Sequence, residues 1–281
     1  MGNCTYCHKK AGLFKNEHVA CAEAAKAARV KIRDVVMEAI TSDKLPEDVM
    51  ADVSIYQREG RLTDGEVKSL ILDSADSAAR KVALDSPVDN DRFERIGAFF
   101  LAADPEWLTG DVMKRVNCSG FLATSYSNTL YQILHRQIPY SHPGGFDDFR
   151  FEVDEHPILR RYASLDEYRS VPTGSSFQSV GLPIGGGLYY RIGASQPRAN
   201  VTGLVPVDDG LIVITTKAII YSGQRQNFRL PYTSILRLES FVDGFGIHQN
   251  YGGGKVFLPS PLGSMDEGWY FSNLVSALMK W

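Results

Sequence analysis

Three of the four cysteines fall within the first twenty-one residues, in the order Cys4-x2-Cys7-x10-His18-x2-Cys21. Two thiolates separated by two residues can grip one metal ion from a tight knuckle. A His and a Cys three apart at the start of a helix face the same way and can complete a tetrahedron. Sulfur with imidazole nitrogen is a soft-to-borderline donor set, which suits zinc. Four protein ligands leave no open coordination position, so the expected role of Zn2+ is structural. His18 is the preferred nitrogen donor because it would share a helical face with Cys21, and His8 is the alternative.

Competing readings of the thiols fit less well. A disulfide leaves one of three clustered cysteines unpaired, and the sequence shows no export signal. A redox CxxC would stand beside a βαβ pattern, which is absent here. Thiols kept for metal, with no export signal, give the expectation of a reducing cytoplasm. Tyr6 sits inside the knuckle, and Leu13 and Phe14 offer an apolar pair to pack on a helix expected to begin near Glu17. Cys118 stands alone and reads as a small buried hydrophobe.

The chain of 281 residues has room for two or three domains. Its net charge of −3 argues against nucleic-acid binding by bulk electrostatics, although Lys9, Lys10 and Lys15 cluster near the knuckle. No apolar run reaches the length of about eighteen residues that a membrane span needs.

Beyond the cysteines the period is helical. Ile32, Val35, Val36, Ala39 and Ile40 form one stripe. Thr63-Asp-Gly-Glu66 is a capping-box start signal for a helix striped by Val67, Leu70, Ile71, Ala75, Ala78 and Val82. Asp89-Asn90-Asp91 lacks the ladder of a calcium loop and reads as the cap of a helix carrying Phe93, Ile96, Gly97, Phe100 and Leu101, closed by Pro105. Pro139, His142-Pro143-Gly144-Gly145 and Val171–Ser176 are loop chemistry, and His142 and His156 read as loop residues. A short edge strand is expected over Asp147–Glu152.

From about residue 182 the period becomes two. Strands are expected at 187–192, 211–215, 218–221, 227–230, 235–238, 245–248 and 255–258. A turn falls at Thr216-Lys217, and hairpin signals at Ser222-Gly223-Gln224 and Asp243-Gly244. The chain ends in a helix with Trp269, Tyr270, Leu274, Val275, Leu278 and Trp281 on its apolar face. The expected fold is therefore α+β and multidomain. A zinc finger leads into a helix (1–28), followed by an α-helical domain (29–136), a connecting segment (137–180) and an antiparallel barrel closed by a helix (181–281).

Two resemblances add to this. The CxxC-x-K-K opening resembles the treble-clef or zinc-ribbon-like fingers at the N-termini of many bacterial proteins, with His8 where Gly often follows the second Cys. Gly210-Leu-Ile-Val-Ile-Thr-Thr-Lys-Ala-Ile-Ile-Tyr-Ser-Gly223, Phe228-Arg-Leu-Pro-Tyr-Thr-Ser-Ile235 and Phe241-Val-Asp-Gly-Phe-Gly-Ile247 are similar to the strands of GRAM and bacterial PH-like domains. Glu267-Gly-Trp-Tyr-Phe-Ser-Asn-Leu-Val275 resembles the closing helix of one bacterial branch. Thr216 and Ala218 depart from that family's Asn and Arg, which removes a basic residue from the turn.

No enzyme signature is found. There is no G-x-S-x-G elbow near Ser175, Ser176 or Ser195, and no Walker loop or H-E-x-x-H. The triplets Gly185–Gly187 and Gly252–Gly254 lack dinucleotide-loop spacing, and a Cys118–His135 dyad has no motif behind it. The expectation is a non-enzymatic bacterial or phage-borne adaptor that binds a protein partner. The alternatives are membrane lipid at the PH/GRAM-like domain, and nucleic acid at the finger through Lys9, Lys10, Lys15 and Tyr6.

Overall fold

The computed structural model describes residues 2–12, 16–107, 119–139, 146, 148–172, 177–183, 189–195, 200–241, 244–250, 254–259 and 267–281. It forms two compact units, Met1–Tyr140 and Ser141–Pro261 with Glu267–Met279.

The first unit opens on two short antiparallel strands, β1 (Gly2–Asn3) and β2 (Lys10–Gly12), followed by helices. These are α1 (Val19–Thr41), α2 (Glu47–Gly60), α3 (Asp64–Asp85), α4 (Asn90–Ala103) and α5 (Ser119–Leu134). The α1 stripe is largely as expected: Ile32, Val36, Ala39 and Ile40 are buried, with Ala25 and Ala28 extending it toward the finger. Helix α3 begins with both halves of the capping box, Thr63 taking the Glu66 amide while Glu66 takes the Thr63 amide. Asp89 caps α4 by accepting from the Arg92 amide. On α4 the buried residues are Ile96, Phe99 and Phe100, and Leu101 is exposed, so the face is turned from the expected one. Phe100 packs on Trp107 at 4.7 Å and edge-on to Phe121 at 5.2 Å.

The second unit is a curled antiparallel sheet of seven strands in the order β8-β7-β6-β3-β11-β10-β9. Its members are β3 (Pro157–Pro172), β6 (Asn200–Thr215), β7 (Ala218–Gly223), β8 (Asn227–Pro231), β9 (Ile235–Ser240), β10 (Phe245–Gln249) and β11 (Lys255–Pro259). A separate hairpin of β4 (Phe177–Pro183) and β5 (Tyr189–Ser195) lies between β3 and β6 in sequence. The curl follows from connectivity. Strands β8 and β9 are the two sheet edges, roughly 29 Å apart if seven strands lay flat. Yet only the turn Tyr232–Ser234 joins them, and even extended it reaches at most roughly 14 Å. The sheet must roll up. Helix α6 (Glu267–Leu278) packs on β9 and β10, stacking Phe271 on Phe245 at 5.3 Å.

The stretch read as a connecting segment, 137–180, in fact supplies β3, which lies mid-sheet between β6 and β11. Its alternation is masked by register shifts at Pro157/Leu159 and Leu165/Asp166, so Leu165 and Asp166 are buried in succession. Residues 148–152 of the expected edge strand form no strand. The loop is closed by Glu155, which accepts from the Glu152 amide at 2.8 Å and pairs with Arg229 at 3.0 Å.

Two outcomes follow. A Cβ at Gly268 would lie 1.9 Å from the Phe241 carbonyl oxygen. Gly268→Ala should therefore destabilise the sheet unit by about 2 kcal/mol, read as a lowered unfolding midpoint. The second concerns Glu167, whose carboxyl is held down to about 2 by the Lys255 ammonium at 2.6 Å and by Arg169, against burial. Because its folded value lies below the ordinary 4.5, its contribution is present above about that pH and lost as pH falls toward 2. Acid titration of unfolding should show this slope, and Lys255→Met should flatten it.

Candidate metal centre

The knuckle is shaped by backbone hydrogen bonds. The Cys4 amide donates to Lys9 O at 2.7 Å and the His8 amide to Cys4 O at 2.9 Å, closing the turn that carries Cys7. His8 takes a φ of 58°, the left-handed region where glycine is unstrained. Its exposed side chain is not among the donors that converge.

Helix α1 begins two residues later than expected. His18 is the residue before its first turn, with φ −87° and ψ 141°, and Cys21 lies inside that turn. His18 makes no side-chain cap, because its ring faces the thiols instead.

The donor atoms of Cys4, Cys7, His18 and Cys21 all lie within 4.8 Å of one another, and among the described residues this is the one such group of His, Cys, Asp and Glu. Cys7 Sγ is 3.2 Å from His18 Nδ1, and Cys21 Sγ is 3.9 Å from the same atom. Tetrahedral coordination with ordinary Zn–S and Zn–N bonds requires about 3.6 Å between S and N, and the two distances bracket that value. His18 Nε2 is 3.0 Å from the Lys10 carbonyl. A proton on Nε2 therefore donates to that oxygen and leaves the Nδ1 lone pair for the thiol cluster. The group can hold a metal ion.

The electrostatics differ among the donors. Burial opposes ionisation of Cys4, but the amides of Cys7, His18 and Tyr6 aimed at its sulfur bring it down to about 6. Burial raises Cys21, and the neighbouring Cys7 and Cys4 add to that. The Lys10 carbonyl, then Cys7 and Cys4, raise His18. A divalent cation among the sulfurs would reverse this mutual repulsion. One of the amides acting on Cys4 belongs to the N-terminus of α1: the His18 N–H points at Cys4 Sγ at 3.5 Å.

Two residues at the site, Arg61 and Arg29, carry no sequence signal. Arg61 donates to Cys21 Sγ at 3.2 Å. Arg29 donates to Glu66 at 2.7 Å and to the Tyr6 hydroxyl at 3.3 Å, with its guanidinium 5.8 Å from the centre of the Tyr6 ring. Tyr6 is half-buried against the helical core. These partners lie 23 to 40 residues from what they touch, beyond the reach of any local pattern. Lys9 and Lys10 are exposed, and Lys15, Leu13 and Phe14 lie outside the described residues.

Elsewhere, Cys118, His142, Ser175 and Ser176 lie outside the described residues. His135 Nδ1 sits 2.8 Å from the Tyr131 carbonyl within its own helix end. Among the described residues no helix is long and apolar enough to cross a membrane. No protein-family model matches the chain, and no curated protein matches it in sequence.

The geometry separates the two histidines. His18→Ala should abolish or severely weaken metal retention, whereas His8→Ala should leave it intact. Metal content after exhaustive dialysis decides between them.

Proposed function

We propose that the chain is a non-enzymatic bacterial or phage-borne adaptor of the cytoplasm that carries one structural Zn2+ and binds a protein partner. The observation that carries the metal reading is the closed set of Cys4, Cys7, His18 and Cys21. Three sulfurs with one nitrogen select zinc over hard cations, and four donors leave no position for a reacting water. The proposed work is binding, with the ion holding the N-terminal segment in place.

A PH/GRAM-like reading of the sheet unit is supported by its connectivity. In order along the chain, the seven sheet strands occupy positions 4-3-2-1-7-6-5, followed by a helix. The edge strands β8 and β9 offer backbone groups for an added strand of a partner, and Leu236 on β9 is exposed. Two observations favour protein over lipid or nucleic acid. Lys217, the basic residue of the β6–β7 turn, is engaged with the Val153 carbonyl. Tyr6 is held by Arg29 and the core, which limits stacking on bases.

The test is metal analysis of untagged full-length protein together with binding assays. One zinc per chain, with no binding to anionic phosphoinositide vesicles or single-stranded oligonucleotides and with a purified partner bound directly, is the expected result. Saturable co-sedimentation with the vesicles, or salt-sensitive oligonucleotide binding lost on Lys9→Glu/Lys10→Glu, would overturn the adaptor reading.

A further inference from the structure

We infer that Arg61 is a working part of the metal centre: its guanidinium orients the Cys21 thiolate and offsets the excess negative charge of the ligand set. This rests on the zinc reading above. Three thiolates and a neutral imidazole around a divalent ion leave a net charge of −1. The His18 amide at the start of α1 faces Cys4, and Arg61 faces Cys21. A guanidinium is a fixed cation with planar donors, suited to hold a sulfur in one direction. Partners of metal ligands tune affinity in this way, typically by about 10- to 100-fold.

The backbone supports a role beyond ending a helix. Arg61 follows α2 with φ 52° and ψ 41°, the left-handed conformation that glycine or asparagine ordinarily occupies after a helix. Glycine is present one residue earlier. Gly60 lies where a Cβ would come within 2.4 Å of the Ala28 side chain, so its absence lets the end of α2 settle on α1. That contact brings Arg61 to within 3.2 Å of Cys21, forty residues away in sequence. The chain thus holds a strained arginine where glycine would be conformationally easier, and the arginine side chain reaches a ligand sulfur. A local rule broken at a site is the expected signature of function.

The test is zinc affinity of the full chain, measured by competition with a chelator for the wild type and for Arg61→Gln, Arg61→Lys and Arg61→Gly. Unfolding midpoints are taken in parallel with zinc removed. Because Arg61 is exposed, the expected loss for Arg61→Gln is at the lower end, roughly tenfold, with Arg61→Lys partly restoring affinity through its charge. Arg61→Gly should lose as much affinity as Arg61→Gln while its zinc-free midpoint stays level or rises, since glycine relieves the left-handed strain. Affinities unchanged in all three variants would overturn the role of Arg61 and leave the zinc site standing. Parallel losses of affinity and zinc-free stability in Arg61→Gly would overturn it too, reducing Arg61 to a helix terminator. A wild type that takes up no zinc would fail at the earlier step and remove the zinc reading itself.

Discussion

Among its described residues the segment before α1 buries little apolar surface, and what orders it is the constraint on which the metal centre depends. Among its described side chains, Cys4 is the one that is fully buried, and its strands are two and three residues long. Small modules of this kind rely on a metal or cross-link in place of a core, because metal binding free energy becomes folding free energy. The four donors can hold a metal ion that would serve that purpose. A chain of contacts then ties the knuckle to the helices: Tyr6 to Arg29, Arg29 to Glu66, and Glu66 to the Thr63 cap of α3. Cap and ion pair share one carboxylate, which the Thr63 amide and Arg29 together hold below its ordinary range.

The sheet unit answers a different constraint. A meander whose fourth and fifth strands occupy opposite edges, joined by a three-residue turn, cannot stay flat. Its interior is aromatic, with Phe245, Phe257 and Phe271 stacked at 5.2 and 5.3 Å. Polar anchors fix its margins. Glu155 and Thr215 are buried together and hydrogen-bonded, and the Tyr232 hydroxyl donates to the Thr215 carbonyl at 2.6 Å, fastening the curl-forming turn to β6.

Signals confined to a few neighbouring residues were readable in sequence. The thiol spacing, the capping box at Thr63, the Asp89 cap and the period-two strands from Leu211 onward all appear where expected. What escaped depends on distance or on broken periodicity. Helix α2 carries two buried valines, Val49 and Val53, too sparse a stripe to announce itself. Strand β3 hides behind its register shifts, and Phe271 joins the core face of α6 where Trp269 was expected to lead. The contact from Arg61 to Cys21 depends on how α2 lies against α1, which no spacing rule encodes.

Whether these four side chains bind one zinc ion together, as proposed, is read by X-ray absorption at the zinc edge of the purified protein. The expected result is a tetrahedral shell of three sulfurs at about 2.3 Å and one nitrogen at about 2.0–2.1 Å. A shell dominated by oxygen, or one with fewer than three sulfurs, would contradict it.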